Sequence, residues 1–206
     1  MKEASEAELF GQYDYIIGVD EAGRGCLAGP VYAGAVLCPR WRFEELRNLK
    51  TLTDSKKLSP KQRGRLLDEL LDMGISYRVS VVNHRIIDDI NILQAARLGM
   101  KRAVERLEFP AGSSVLVAVD GNQPIETSYS QLTVVKGDLK FKTIAAASIF
   151  AKVLRDRFMV AASTKWPRYG FEKHKGYPAS AHKAALREFG PCPIHRLTFR
   201  GVLRGE

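Results

Sequence analysis

Two short apolar segments rich in β-branched residues lie near the start of the chain, and a glycine-rich connection joins them. The first, residues 15–19, reads YIIGV, and the second, residues 30–38, reads PVYAGAVLC. Parallel neighbours in a sheet need a crossover connection, usually a helix, and this connection is too short to supply one. The sheet is therefore predicted to begin with two antiparallel strands.

Helical and extended patterns alternate along the rest of the chain. Strand patterns cover residues 75–82, 115–119 and 132–135. Helical periodicity indicates helices at residues 60–73, 92–107, 143–162 and 178–189, with Ser59 and Asn83 as capping residues. The order β, β, α, β, α, β, β, α, α predicts an α/β fold, a mixed sheet covered by helices. No repeat or linker interrupts this order, so residues 1–206 are predicted to form a single domain.

The composition excludes several classes of chain. Hydrophobic residues make up 45% of the chain and charged residues 27%, which is typical of a globular protein and not of a disordered, collagenous or coiled-coil chain. The acidic N-terminus lacks the apolar core of a signal peptide, and no apolar run approaches the roughly 18 residues of a membrane span. Cys26, Cys38 and Cys192 lack the spacing of a disulfide framework or a zinc module. We therefore expect a cytoplasmic protein whose cysteines pack as small core residues.

Positive charge is concentrated in the last third of the chain. The net charge is +9, and residues 136–206 alone carry 15 basic and 5 acidic side chains. Tyr169, Phe171 and Tyr177 are interleaved with these cations, and rings among cations suit the sugars, bases and phosphates of a nucleic acid. A nucleic-acid partner is expected, and a merely solvated basic face is the alternative.

Four acidic residues stand where predicted strands end. Asp20 and Glu21 follow the first strand, Asp120 ends the VLVAV strand, and Asp138 follows the next apolar segment. Any one of them alone is more typical of a solvated turn. Acids at neighbouring strand ends can converge, and converged carboxylates require a compensating charge, which a hard cation such as Mg²⁺ or Mn²⁺ supplies. The four acids together therefore indicate a divalent-metal site.

The connection between the first two strands contains Gly23, Arg24 and Gly25 and matches the dinucleotide-binding pattern GxGxxA. A strand follows this pattern where a helix is required, and two acids precede it, so we reject a dinucleotide site. Glycines instead allow the backbone to approach a ligand closely and to present its own polar groups. A tight corner without a ligand is the alternative.

Two classes of function stay open on these features. A nucleic-acid-binding module without catalysis accounts for the basic third of the chain but not for the acids, which repel phosphates unless they hold metal ions. A metal-dependent nuclease accounts for both features.

Seven short motifs, taken in chain order, closely resemble bacterial ribonuclease HII of the type 2 ribonuclease H family. They are IGVDEAGRG at 17–25, DSKKL at 54–58, DGN at 120–122, KGD at 136–138, AAASI with AKV and RD at 145–156, HKGY at 174–177, and HR at 195–196. The resemblance implies a ribonuclease H-like fold, a five-stranded mixed sheet flanked by helices, with C-terminal helices. It also implies that the helical part at about 141–206 forms part of the substrate groove.

The resemblance implies an activity and a cofactor as well. The family cleaves the RNA strand of RNA/DNA hybrids, including single ribonucleotides embedded in duplex DNA, and leaves 3′-hydroxyl and 5′-phosphate ends. By matching motif, the catalytic and metal-binding positions are Asp20, Glu21, Asp120 and Asp138, expected to hold two Mg²⁺ or Mn²⁺ ions during catalysis. Another metal-dependent nuclease of the same broad fold is the nearest alternative.

The expected substrate contacts fall into three groups. The loop Gly23, Arg24 and Gly25 takes the position that reads the 2′-hydroxyl at an RNA-to-DNA junction, and Tyr177 that of a ring packing on the next sugar. The remaining predicted contacts, several of them to phosphates, are Ser55, Lys56, Lys140, Lys142, Lys173 and Lys175. The expected partners are RNA/DNA hybrid and ribonucleotide-containing duplex DNA, bound by a monomer.

Overall fold

The structure is a computed structural model that describes residues 4–53 and 55–203, so Asp54, the first residue of the DSKKL motif, lies outside the described residues. The described residues form one five-stranded sheet in the order β3-β2-β1-β4-β5. The strands are β1 (Tyr15–Ala22), β2 (Val31–Pro39), β3 (Ser76–Val82), β4 (Val115–Asp120) and β5 (Ser130–Val134). β2 pairs antiparallel with β1 and β3, whereas β4 pairs parallel with β1 and β5. The predicted mixed sheet with an antiparallel start is confirmed.

The helices lie on both faces of this sheet and beyond the end of the sheet where β1 terminates. They are α1 (Glu6–Phe10), α2 (Phe43–Arg47), α3 (Pro60–Asp72), α4 (His84–Val104), α5 (Gly137–Lys140), α6 (Lys142–Lys165), α7 (Phe171–His174) and α8 (Ser180–Phe189). Short 3₁₀ turns occur at Arg40–Arg42, Ser55–Lys57 and Pro167–Tyr169. None of the described helices is long and apolar enough to cross a membrane.

Helix α6 packs directly on the middle of the sheet. A Cβ at Gly18 would lie 2.1 Å from the carbonyl carbon of Thr143, and one at Gly34 would lie 2.4 Å from the carbonyl oxygen of Ala147. These two glycines and the alanines of α6 allow a contact that larger side chains would prevent. The close contact fixes the position of every polar side chain that α6 carries to the end of the sheet.

The carboxylate of Glu6 holds the first turn of α6. It accepts hydrogen bonds from the backbone N–H of Lys142 at 2.6 Å and of Thr143 at 3.0 Å, and from Thr143 Oγ1 at 2.6 Å. The N-cap residue Phe141 makes no side-chain cap itself, so a distant acid satisfies these N–H groups.

Most predicted boundaries agree with the structure, and one helix differs. Ser59 caps α3 in a capping box with Gln62, and Asn83 caps α4, as predicted. However, α4 begins at His84 and not near residue 92. The backbone of Asn91 leaves the helical region with φ 66°, and its side chain accepts hydrogen bonds from the N–H groups of Leu93 and Gln94. This internal cap interrupts the helical periodicity of α4, so the sequence pattern predicted only the part of the helix that follows Asn91.

The C-terminal elements pack on the second half of α6 and on the loop that follows β1. Their core contains Met159, Phe171, Leu186 and Ile194 together with Leu27 of that loop. The three cysteines are unpaired and buried, which confirms their prediction as small core residues. The packing brings the C-terminal elements to the end of the sheet where β1 terminates.

Candidate active site

The parallel pairing of β1 and β4 places two acids side by side. Val19 is opposite Val119, so Asp20 and Asp120 are the next residues at the same end of adjacent strands. Side chains alternate between the faces of a strand, so both acids follow Gly18 and Ala118 on the face covered by α6. The predicted convergence of these strand ends is present in the fold.

Asp20 is a buried carboxyl group surrounded by negative charge and a few donors. Its Oδ1 accepts a 2.6 Å hydrogen bond from the N–H of Glu21, and its side chain is hydrogen-bonded to Ser148 of α6. Burial raises the pKa of Asp20 well above its usual range, and the charges of Glu21 and Asp120 raise it further, against the effect of these hydrogen bonds. Without a compensating cation, this carboxyl group therefore resists ionisation.

Glu21 shares this environment but has a basic partner. Burial raises its pKa, the charge of Arg24 opposes the rise, and the charge of Asp120 adds to it. The guanidinium of Arg24 lies 3.4 Å from Oε1 of Glu21. Arg24 is half exposed, so this ion pair is weakened by solvent and leaves the carboxylate available to a ligand.

A hydrogen bond ties Asp120 to the segment that carries Asp138. The N–H of Gly137 donates to Oδ1 of Asp120 at 2.7 Å, and Gly137 opens α5, where Asp138 is buried in the first turn. The structure thus gathers Asp20, Glu21 and Asp120 into one electrostatically coupled group and places Asp138 one residue beyond a direct contact of that group.

The donor chemistry of this acidic group fits a hard divalent cation. Its ligating atoms are carboxylate oxygens, and burial, together with the negative charge of neighbouring carboxylates, raises the pKa of Asp20 and Glu21. In residues 4–53 and 55–203, no three His, Cys, Asp or Glu side chains already stand in a metal-holding arrangement. A bound cation would relieve the repulsion, so Asp20, Glu21 and Asp120 are the residues suited to hold it.

A cavity of about 570 Å³ opens beside Asp20 and Glu21. Its other lining residues are Ala22, Gly23, Arg24, Gly25, Ser55, Lys56, Arg63, Ser148, Lys152 and Tyr177. Six residues predicted as substrate contacts, from three separate motifs, therefore share one wall with two of the predicted metal ligands. Four of the lining residues, Arg24, Lys56, Arg63 and Lys152, are cationic, which suits a polyanionic substrate.

Tyr177 closes one side of this cavity with a fixed ring. It is 37% exposed, and its side chain is hydrogen-bonded to Cys26. The ammonium of Lys152 lies 5.4 Å from the ring centroid and the guanidinium of Arg155 lies 5.9 Å from it. A partly exposed ring held by cations and a hydrogen bond offers a flat face to a ligand.

Comparison with known proteins assigns this chain to a family. The family model described as Ribonuclease HII matches residues 17–202. The chain is 46% identical over 197 residues to the Ribonuclease HII of Caldicellulosiruptor bescii, with 96% of this chain and 92% of that protein covered. It is 47% identical over 203 residues to that of Chlorobium chlorochromatii, with 98% and 97% covered.

This chain belongs to the ribonuclease HII family. The crystal structure of ribonuclease H2 from Pyrococcus horikoshii OT3 is similar to it with a TM-score of 0.76 and 29% sequence identity, over 91% of this chain and 95% of that chain. The ribonuclease H-like fold and the family resemblance predicted from the sequence are confirmed.

Ribonuclease HII is an RNase H endonuclease, a hydrolase that acts on RNA/DNA hybrid and depends on divalent metal ions. The prediction of an enzyme is confirmed, and the non-catalytic binding module is set aside. The acidic group and its adjoining cavity combine carboxylates with cationic side chains, which suits such a reaction.

The four lysines predicted to contact phosphates lie outside the lining of the cavity. Lys142 differs most from expectation, because its ammonium donates to the carbonyl oxygens of Leu49 at 3.1 Å and Leu52 at 2.7 Å. The ammonium of Lys175 donates to the carbonyl oxygen of Glu172. Lys140 and Lys173 extend from the short helices α5 and α7. Contact of these four lysines with phosphates stays a prediction.

The site also contains three residues to which the sequence analysis gave no role in the site, although two of them, Ser148 and Lys152, lie within the motif at 145–156. Ser148 and Lys152 line the cavity, and Arg63 reaches it from α3. Ser148 Oγ lies 2.7 Å from Ser55 Oγ, which links the 3₁₀ turn Ser55–Lys57 to the Asp20 carboxyl group. The four-residue spacing of Ser148 and Lys152 places both on one face of a helix, and that spacing was the signal available in the sequence.

Proposed function

We propose that this ribonuclease HII cleaves both the RNA strand of RNA/DNA hybrids and single ribonucleotides embedded in duplex DNA, and that it removes ribonucleotides from DNA. The observation that carries the proposal is the common cavity. Its wall combines carboxylates of the acidic group with the loop of Gly23, Arg24 and Gly25 and with the ring of Tyr177. An acidic group alone would suit many metal-dependent nucleases, whereas these added features suit recognition of one sugar.

In this proposal Asp20, Glu21, Asp120 and Asp138 hold two divalent ions, Mg²⁺ or Mn²⁺. When bound, such ions activate a water towards phosphorus and stabilise the leaving 3′-oxygen, so the products carry 3′-hydroxyl and 5′-phosphate ends. A hydrogen bond from the N–H of Gly137 keeps the carboxylate of Asp120 in orientation. Hydrogen bonds with the Ser148 side chain and the N–H of Glu21 do the same for Asp20. No covalent intermediate on the protein is required.

The loop of Gly23, Arg24 and Gly25 and the ring of Tyr177, which line the cavity together with the acids, read the sugars. A protein distinguishes RNA from DNA at one nucleotide by the 2′-hydroxyl and the associated sugar shape. Gly25 has open space around its missing Cβ, so the backbone there can touch a sugar directly. Tyr177 then packs on the following deoxyribose, where a second hydroxyl would crowd the ring. Ser55 and Lys56, which also line the cavity, contact the sugar–phosphate backbone.

The rest of the duplex lies along the basic C-terminal part in this proposal. Residues 141–206 form one side of a substrate groove within a single domain, and Lys140, Lys142, Lys173 and Lys175 supply positive charge for the phosphates. We propose that the enzyme acts as a monomer. We also propose that it acts in the cytoplasm, because its three unpaired cysteines suit a reducing compartment.

A cleavage assay on three duplexes of one sequence tests the proposal. One duplex is an RNA/DNA hybrid, one is DNA with a single ribonucleotide, and one is DNA only; each is incubated with Mg²⁺, with Mn²⁺, and with a chelator. We expect divalent-dependent cleavage of the first two and none of the third. Cleavage of the all-DNA duplex would favour another nuclease of the same broad fold, and cleavage of the hybrid alone would overturn the single-ribonucleotide assignment.

A further inference from the structure

Arg196 is a buried cation whose hydrogen bonds all go to one loop. Its side chain is completely buried, and its three nitrogens donate to the carbonyl oxygens of Gly23 at 2.7 Å, Arg24 at 2.9 Å and Gly29 at 2.9 Å. A guanidinium presents its donors in a rigid planar fork, so the three carbonyl groups must converge on it. The loop after β1 is thereby shaped from the inside.

These bonds determine which polar groups the loop offers to the cavity. In a trans peptide the C=O and the next N–H point in opposite directions. Since the carbonyls of Gly23 and Arg24 point inwards to Arg196, the N–H groups of Arg24 and Gly25 point away from it, and both of these residues line the cavity. Within the described residues, neither N–H has a hydrogen-bond acceptor.

Glycine makes this orientation reversible unless something holds it. Gly23 has φ 102°, and a residue without Cβ can rotate an adjoining peptide at little cost. A rotated peptide between Gly23 and Arg24 would present a carbonyl oxygen to the cavity in place of an N–H donor. The guanidinium of Arg196 opposes that rotation, because it would lose a charge-assisted hydrogen bond in a buried site.

A separate set of contacts holds Arg196 itself in place. The carboxylate of Asp88 in α4 accepts hydrogen bonds from the N–H of Leu197 at 2.9 Å, and from the N–H and Oγ1 of Thr198 at 3.1 and 2.7 Å. The N–H of Arg196 donates to the carbonyl oxygen of Leu27 at 2.9 Å. The arginine is thus fixed at its backbone as well as at its fork.

We propose that Arg196 is a positioning residue for sugar recognition, which makes the loop present two N–H donors, from Arg24 and Gly25, to the oxygen of a 2′-hydroxyl. The inference rests on the proposed function, because it assumes that this loop reads the ribonucleotide. A deoxyribose has no 2′-oxygen to accept these hydrogen bonds, so the orientation set by Arg196 contributes directly to discrimination. Arg196 itself touches neither the substrate nor the reacting atoms.

The test compares binding of two duplexes in the presence of a chelator, so that no cleavage occurs. One duplex is all DNA and the other has the same sequence with one ribonucleotide, and the affinity ratio is measured by fluorescence anisotropy. We expect the wild-type chain to favour the ribonucleotide duplex. Arg196→Met should reduce that ratio by roughly tenfold, as expected for one or two lost hydrogen bonds, and Arg196→Lys should lie in between. Affinity for the all-DNA duplex should hardly change.

Two further variants separate positioning from stability. Leu46→Ala opens a cavity in a core cluster separate from that of the C-terminal elements, and it should lower the melting temperature without changing the affinity ratio. Asp88→Ala retains Arg196 and loosens only its turn, so it should reduce the ratio partially and serves where the Arg196 variants do not fold. An unchanged ratio in folded Arg196 variants, or an equal loss in Leu46→Ala, would overturn the inference. A wild-type ratio of one would instead refute reading of the ribonucleotide by the loop.

Discussion

The backbone N–H of Gly137 donates a 2.7 Å hydrogen bond to Oδ1 of Asp120, and this bond joins the end of β4 to the helix that carries Asp138. Asparagine has an oxygen in the same place as this carboxylate oxygen. The charge of Asp120 can therefore be removed by substitution while its structural contact is kept, which makes the role of the charge measurable by itself.

We expect Asp120→Asn and Asp20→Asn each to remove nearly all cleavage while leaving duplex affinity in a chelator unchanged or higher. The lost charge serves metal ions, and its removal reduces repulsion of phosphates. The same change should raise the melting temperature of the metal-free protein slightly, because burial and like charges already disfavour ionised Asp20. Parallel loss of affinity and activity, or a large fall in melting temperature, would contradict the metal-ligand assignment.

Tyr177→Ala should strongly reduce cleavage at a single embedded ribonucleotide and change the melting temperature little. The ring is partly exposed, so little core packing is lost with it. Tyr177→Phe is the matched control, since it keeps the flat face of the ring and removes only the hydroxyl that is hydrogen-bonded to Cys26. We expect that variant to retain most activity. Equal loss on all substrates together with unfolding would show that Tyr177 is a packing residue.

Alanine at Lys140, Lys173 or Lys175 should weaken duplex binding uniformly for hybrid and DNA. If each lysine contacts one phosphate, the slope of log affinity against log salt should fall by about 0.9 per lysine. Lys142→Ala distinguishes a role in stability from a role in phosphate binding, because the Lys142 ammonium donates hydrogen bonds to two backbone carbonyl oxygens. A lower melting temperature with an unchanged salt slope would assign Lys142 to stability alone. Unchanged salt slopes in all four variants would show that these lysines form a solvated basic face and contact no phosphates.

Stability should decrease between pH 6.5 and about pH 4 through a buried histidine pair. Nε2 of His182 lies 3.0 Å from Nε2 of His195, and burial followed by the charge of His182 lowers the pKa of His195 from 6.5 to about 4. In this pH range His195 is protonated in the unfolded chain but stays neutral in the folded chain. The free energy of unfolding therefore falls by up to about 3 kcal/mol as the pH falls.

Urea unfolding of the wild type and of His195→Gln at pH 7 and pH 5 measures this contribution. The raised pKa of Asp20 has the opposite sign, because stability tied to it is lost as the pH rises, so the comparison with the variant is required. We expect a smaller loss of stability in His195→Gln. An identical pH dependence in both proteins would exclude the histidine pair as its source.

The sequence was sufficient where one local pattern decides one feature. The antiparallel start of the sheet, the caps Ser59 and Asn83, and the acids at the strand ends follow from periodicity, short polar caps and chain position. Recognition of seven motifs then supplied the family. Six of the residues that share the cavity with Asp20 were predictable because three of these motifs contain them.

The rest depends on contacts between residues far apart in the chain. Glu6 caps α6 across more than 130 residues, and Arg196 shapes a loop more than 160 residues before it. Arg196 lies in the HR motif, but nothing local in the sequence indicates its partner or that of Glu6, since an isolated Glu or Arg is usually a surface residue. The break in α4 was missed for another reason, because the cap at Asn91 lies inside a segment that continues as a helix.

The most direct measurement for the central claim is end-group mapping of a DNA duplex with one ribonucleotide after incubation with wild-type protein or Asp20→Asn, with and without Mg²⁺ or Mn²⁺. We predict a single cut beside the ribonucleotide, leaving 3′-hydroxyl and 5′-phosphate ends, only with the wild type and only with a divalent ion. Cutting in the chelator, a cyclic phosphate end, or full activity of Asp20→Asn would contradict the proposed metal-dependent mechanism.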